Sequence, residues 1–260
     1  PQAAFESVMG LPAATASLAR IRGSAERLDE VLSSTIESEI ATEQALTSAQ
    51  IDVTDVSLRW PDSLTDVVTG LTFTAKPKSR IGIIGPSGSG KSTIVNMLNK
   101  FLLPRQGNYF LSGIDINQIP GEQVRSHVAA TGHDAHIFAT SIRENLALAT
   151  HGSITDDELR AVLRAVELDT WVDSLPHKLD SIIGENGSSI SGGQRQRLLM
   201  ARMLICNPQV WVLDEPTEHL DSALANSVMT SINIFSAEST LIVVSHRPAD
   251  VEGSDTIVSL

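Results

Sequence analysis

Gly85-Pro86-Ser87-Gly88-Ser89-Gly90-Lys91-Ser92-Thr93 is the stretch on which the fold turns. It matches G-x-x-x-x-G-K-[ST] in full, and Thr93 adds one more hydroxyl. Arg80-Ile81-Gly82-Ile83-Ile84 before it is a short apolar run that predicts a strand, and a helical pattern follows over about 90–101. Glycines in such a loop let successive backbone N–H groups turn inward on an anion. The helix that opens there adds the positive end of its dipole. Lys91 offers a point charge to the β- and γ-phosphates of a nucleotide, and Ser92 offers a hydroxyl to Mg²⁺, a hard ion that takes oxygen ligands. A glycine-rich turn with a chance lysine is the plain alternative, and the complete motif between strand and helix outweighs it.

Two further continuous runs, Val210-Trp211-Val212-Leu213-Asp214 and Leu241-Ile242-Val243-Val244-Ser245, resemble the one before the loop. Strands that read apolar throughout are covered on both faces, as in parallel sheets. Helical stretches at about 156–168, 191–205 and 222–235 lie between them. This alternation predicts an α/β domain with a parallel core. Upstream, residues 51–60 and 71–75 alternate apolar and polar, which predicts an antiparallel sheet at the start of the domain. Residues 1–36 read as helix, because Leu11, Ala14, Leu18, Ile21, Ala25, Leu28 and Leu32 recur at steps of three and four. The simplest reading is an amphipathic helix packed on the domain, with the small polar residues of 33–50 as a linker.

Composition narrows the partners. The chain has 260 residues and a formal net charge of −12, which lacks the basic footprint that nucleic acid requires and fits ordinary solubility. Cys206 is the single cysteine, so neither an internal disulfide nor a cysteine metal cluster can form. No apolar run approaches the ~20 residues of a membrane helix.

The run 210–214 ends in Asp214-Glu215. Asp214 would hold Mg²⁺ directly or through water, and Glu215 would orient and polarise an attacking water. Ile190-Ser191-Gly192-Gly193-Gln194-Arg195 then stands 23 residues before Asp214, counting from Ser191. That motif closely resembles the LSGGQ signature of ABC ATPases, and the resemblance covers roughly residues 50–260. It implies a P-loop ABC ATPase fold with a parallel core sheet, an antiparallel β subdomain and a helical subdomain at about 122–208. It implies ATP and Mg²⁺ as cofactors, with Ser92 and Asp214 on the metal. Residues 85–93 would cradle the phosphates, and Lys91, Glu215 and His246 would be catalytic. Ser191, Gly192, Gly193 and Gln194 would cap the γ-phosphate held by a partner domain. Trp60 occupies the place of the aromatic that stacks on adenine, with a packed core tryptophan as its alternative. Asp221 resembles the aspartate of the loop crossing the dimer interface, and His246 the switch histidine. Glu185 fills the place of a glutamate that touches the membrane domain.

One position departs from the family. His133 stands where the family carries a glutamine that ligates Mg²⁺ and senses the γ-phosphate. An imidazole prefers softer metals and titrates near neutrality. Either His133 alters this site, or it merely fills space, or Asp134 takes over.

The resemblance also reaches residues 1–50, which look like the cytoplasmic end of a last membrane helix plus linker. It implies a longer parent chain, with a membrane domain upstream and further sequence past Leu260. Within the exporters the sequence most resembles the CydC-type subunit of the bacterial thiol-reductant exporter for cytochrome bd assembly. The bases are Pro216-Thr217-Glu218-His219-Leu220-Asp221 and the leucine-proline-alanine helix at 10–19. That implies a heterodimer with a CydD-type second ABC subunit at the cytoplasmic face of the bacterial inner membrane, no nucleic acid, and a thiol cargo such as glutathione or cysteine, with haem as a rival. The competing readings are a heterodimeric exporter of other cargo, a soluble ABC ATPase of repair or translation, and a non-hydrolysing interaction subunit.

Overall fold

The three continuous apolar runs lie side by side in the computed structural model, which describes residues 11–33, 45–61, 63–132, 135–150, 152–184 and 190–260. Its strands are β1 (Ile51–Leu58), β2 (Val68–Ala75), β3 (Arg80–Ile84), β4 (Gln106–Leu111), β5 (Ile114–Asp115), β6 (Val128–Thr131), β7 (Val210–Asp214), β8 (Thr240–Ser245) and β9 (Thr256–Ser259). Its helices are α1 (Leu11–Ser33), α2 (Lys91–Leu98), α3 (Gly121–His127), α4 (Ile142–Ala147), α5 (Asp156–Ala165), α6 (Asp169–Ser174), α7 (Gly192–Cys206), α8 (Ser222–Phe235) and α9 (Pro248–Val251). The chain divides into two units, Pro1–Ala41 and Thr42–Leu260.

In the second unit a five-stranded sheet runs β6-β7-β8-β3-β9, and every pairing in it is parallel. All residues of β7 and β8 are buried, which is why their sequences show no alternation. The neighbours β7, β8 and β3 end level: Asp214 pairs with Val244, and Ile84 with Ser245. Their carboxyl ends therefore deliver Asp214, His246 and the 85–93 loop to one edge, the usual ligand edge of such sheets.

The second sheet runs β2-β1-β4-β5 and is antiparallel. Ile51, Val53, Val56 and Leu58 of β1 face the core. The extra residue between Val53 and Val56 is a bulge centred on Asp55, whose φ is 50°. Gly107 lies against it with φ 80°, where a Cβ would stand 2.3 Å from the Asp55 carbonyl oxygen. Only glycine fits.

Helices α4 to α7 share a core with the inward side chains Trp211 and Leu213 of β7. Capping boxes start three of them: Ser141/Glu144 at α4, Thr155/Glu158 at α5 and Ser191/Gln194 at α7. Arg202 of α7 donates to the carbonyls of Asn145 and His136, which ties α7 to α4. Strand β6 lies inside the largely helical span 122–208, yet it pairs with β7 in the parallel sheet.

The residues just before β1 do more than link. Ser112 Oγ accepts from the backbone N–H of Thr47 and Ser48, and Leu46 and Ala49 pack on the core. The Ser48 carbonyl meets the Nε2 of His127, a buried imidazole at the end of α3. Burial pushes the His127 pKa below its ordinary value, and the bond to Ser48 offsets part of that. A folded-state pKa below the unfolded one means that this stabilisation is present above pH ~6.5 and is lost as pH falls through the folded value. We expect the thermal midpoint to drop between pH 7.5 and 5.5, and the drop to shrink in His127→Gln. Equal drops in both proteins would exclude this contribution.

In the first unit the described part of α1 has the expected periodicity. Leu18, Ile21, Leu28 and Leu32 are 62–81% exposed. An i,i+4 pair, Arg22–Glu26, sits on its polar side. Among the described residues no helix is long and apolar enough to cross a membrane.

Candidate functional site

The 85–93 loop folds as its glycines require. Gly88 and Gly90 have φ of 83° and 94°, and a Cβ on Gly90 would stand 2.5 Å from the Val68 side chain. On Gly85 a Cβ would reach 2.6 Å from Ser89 Oγ, a buried hydroxyl with no partner among the described residues. At Gly85 and Gly90 the loop thus has no room for a side chain, whereas Gly88 is called for by its φ alone. Lys91 is buried, and its Nζ donates to the carbonyls of Gly85 and Pro86 at 2.9 Å each. It also stands 3.4 Å from Glu215 Oε1.

Ser92 Oγ donates to Asp214 Oδ2 at 2.9 Å, so the two predicted metal ligands already meet. Both are hard oxygen donors, which fits Mg²⁺. Two oxygens cannot fill a six-coordinate shell, which suits an ion that arrives with a nucleotide and keeps waters.

Glu215 is the most heavily engaged residue of the site. It is buried and its φ is 49°, a left-handed conformation that non-glycine residues seldom adopt. The backbone N–H of Glu215 donates to the Val244 carbonyl at 2.8 Å, and Gln196 Nε2 of α7 donates to its carbonyl. The side chain accepts from the His246 backbone N–H at 3.2 Å and meets His246 Nδ1 at 2.7 Å. Burial pushes its pKa up. The His246 backbone and ring, with the Lys91 ammonium, outweigh that and hold the carboxyl below the usual glutamate range. Glu215 is therefore ionised at neutral pH, as a base must be.

A cleft of about 490 Å³ opens over these groups, lined among others by Lys91, Ser92, Glu215, Glu218, His219 and His246. Trp60 stands at the cradle helix, 41% exposed, with Nε1 donating to Thr93 Oγ1 at 3.3 Å. A core tryptophan would be covered; this one presents its ring at the surface.

Ser191, Gly192, Gly193 and Gln194 form the start of α7. None of them lines the cleft around Lys91. They are braced instead by the 216–221 loop: Gly193 lies so close to Leu220 and the His219 carbonyl that a Cβ would stand 3.2 and 3.3 Å away. Asp221 caps α8, its Oδ1 accepting from the N–H groups of Ala223 and Leu224. A small cavity of about 90 Å³ separates Gly192 from Asp214, and two buried polar atoms on its walls, Thr131 Oγ1 and Gln196 Oε1, have no partner among the described residues. His133 and Glu185 lie outside the described residues, as does Asp134.

Several residues here were not anticipated. Gln196 holds the Glu215 carbonyl, and Ser245, Thr217 and Asp250 form a buried polar group behind Glu215. Glu218 and His219 line the cleft. A buried position is invisible in a polar loop segment such as 215–221, because no periodicity applies there.

Comparison with known proteins gives one consistent result. The family model described as "ABC transporter" matches residues 68–218. The chain is 34% identical over 211 residues to an ATP-dependent lipid A-core flippase of Bordetella avium, covering 81% of this chain and 36% of that protein. It is 35% identical over 243 residues to a multidrug resistance ABC transporter ATP-binding and permease protein of Lactococcus lactis, covering 92% of this chain and 41% of that one. Among solved structures, a bacterial Atm1-family ABC exporter with ATP bound superposes with a TM-score of 0.83 at 27% identity, over 91% of this chain and 41% of that chain. The chain thus spans roughly two-fifths or less of the length of these relatives. With the phosphate loop, the paired carboxylates and the signature helix in their places, the chain belongs to the ABC transporter family, as an ATPase domain of exporter type.

Proposed function

We propose that this domain hydrolyses Mg-ATP between two ABC domains and so drives an exporter. The observation that carries the reading is the separation of two anion-binding helix tips. The α2 tip with Lys91 opens onto the cleft, whereas the Ser191-Gly192-Gly193 tip of α7 does not reach it. Each tip is built to bind phosphate oxygens, and both can grip one triphosphate only if the second comes from another domain.

In that arrangement Trp60 stacks on the base and Lys91 trades its carbonyl partners for the β- and γ-phosphates. Ser92 and Asp214 would hold Mg²⁺, which supplies charge neutralisation across those phosphates. Glu215 accepts a proton from the attacking water, and His246 fixes the carboxylate that does so. Closure of the second domain excludes bulk water from the reaction. The test uses Glu215→Gln protein, in which turnover is blocked. Mg-ATP should convert it from monomer to dimer in light scattering, and ADP or ATP with a chelator should not. An ATP-loaded species that stays monomeric would refute the shared-site reading.

The parent protein, in this reading, carries its own upstream membrane domain. It works as half of a heterodimer at the cytoplasmic face of the bacterial inner membrane, with no nucleic acid partner. A small thiol such as glutathione or cysteine is the proposed cargo, with a CydD-type partner and haem as the rival cargo. Its support is the 216–221 sequence, whose Glu218 and His219 line the cleft, and the leucine-proline-alanine sequence at 10–19. A second reading, an exporter of amphiphiles, is supported by relatives named for lipid A-core and for multidrug resistance.

A further inference from the structure

Behind Glu215 lies a closed ring of side-chain hydrogen bonds, which meets the ATP cradle only through the backbone, where the Gly85 N–H donates to the Ser245 carbonyl at 3.4 Å. Its centre is Asp250 of α9, only 5% exposed. Thr217 Oγ1 donates to both carboxylate oxygens, at 2.6 and 2.8 Å, and Ser245 Oγ donates to Oδ2 at 2.6 Å. Thr217 and Ser245 are fully buried. Each hydroxyl has one proton, and each spends it on Asp250. Their lone pairs are then taken by Arg247. Its Nη1 donates to Thr217 Oγ1 and to the Thr217 carbonyl at 3.0 Å each, and its backbone N–H donates to Ser245 Oγ at 3.0 Å.

The ring joins two segments that flank the water-polarising carboxylate. Thr217 is two residues past Glu215, at the root of the 216–221 loop that braces the signature tip. Ser245 is the residue before His246. Ser245 Oγ also lies 3.3 Å from Glu215 Oε2, but its proton is held by the nearer Asp250. Glu215 is thereby left to His246 alone among these donors. A buried carboxylate is costly, and an apolar side chain would fill the same volume at less cost. Here the cost fixes the orientation of two hydroxyls and the spacing of two loops.

We propose that Asp250 is a positioning residue for ATP hydrolysis. It locks the loop rooted at Thr217 to the Ser245–His246 strand end, so that Glu215, His246 and the signature brace keep one register. The inference rests on the ATPase reading above and names a residue that reading does not use.

Asp250→Asn tests it. The amide keeps the volume, but its NH₂ cannot accept: with the amide oxygen in the place of Oδ2 both hydroxyls can still donate to it, while the Thr217 bond to Oδ1 is lost and an NH₂ faces Thr217 Oγ1 instead. Expected are an ATP affinity within about threefold of the parent protein, a thermal midpoint within a few degrees, and a turnover lowered about tenfold or more. Thr217→Val should reproduce the loss, Thr217→Ser should restore turnover, and Asp250→Asn combined with Thr217→Val should be no worse than the poorer single variant. Turnover of Asp250→Asn within twofold of the parent would overturn the assignment. So would a loss in which turnover, ATP affinity and thermal midpoint fall together. Should Asp250→Asn fail to fold, the Thr217→Val and Thr217→Ser pair decides alone, equal turnover in the two being the overturning result. A parent protein that binds no ATP would defeat the ATPase reading and this inference with it, whereas retained turnover in Asp250→Asn defeats the inference only.

Discussion

Glu215→Gln is expected to keep ATP bound and to lower turnover by about 10²- to 10⁴-fold, the range a general base contributes. The substitution changes charge and basicity but almost no volume. Gln Oε1 can still accept from His246 Nδ1 and from the His246 N–H, so the local geometry survives. Lys91, 3.4 Å from the carboxylate, loses an opposing charge and becomes freer to meet phosphate. ATP affinity should therefore equal or exceed that of the parent, while phosphate release nearly stops. Steady-state phosphate assays beside equilibrium nucleotide binding read both quantities. Turnover within tenfold of the parent would remove Glu215 from its role and leave the proton without an acceptor.

Lys91→Ala should act on the other side of the split. A hydrogen bond to a charged group contributes about 1.5–3 kcal/mol, and Lys91 would make several to a triphosphate. ATP binding should weaken on the order of 100-fold, since each ~1.4 kcal/mol is tenfold. The folded state should suffer far less. The partners Lys91 leaves behind are the carbonyls of Gly85 and Pro86, which water can satisfy, and the Glu215 carboxylate, which keeps its bonds to His246. Titration with a fluorescent ATP analogue, with a thermal melt of the same samples, checks both points. Unchanged affinity would show that the loop does not hold phosphate.

Much of this was legible in the chain itself. The runs 80–84, 210–214 and 241–245 became the three central strands because β-branched residues covered on both faces leave no alternation to misread. The loop 85–93 was legible because its spacing is dictated by a ligand rather than by packing. Strands β4, β5, β6 and β9 were not anticipated. β5 is two residues and β6 and β9 are four each, too short for a period to register. Helix α2 stops at Leu98 rather than near 101, because Lys100 takes φ 56° and turns the chain back, the Phe101 N–H donating to the Asn96 carbonyl. The links that join Gln196 to Glu215, and Asp250 to Thr217 and Ser245, span sequence separations of 19, 33 and 5 residues and have no local signal. Only tertiary structure brings them together.

The mutual engagement of Lys91, Glu215 and His246 sets how the pocket greets an anion. Ammonium, carboxylate and imidazole are folded onto one another, so little bare charge faces solvent. An anion that enters must replace the contacts it displaces, three of them at Lys91 alone. The oxygens of a triphosphate can do so while the glycine-lined backbone of 85–93 takes the rest. Binding is thus an exchange of partners at Lys91 rather than the capture of an exposed charge.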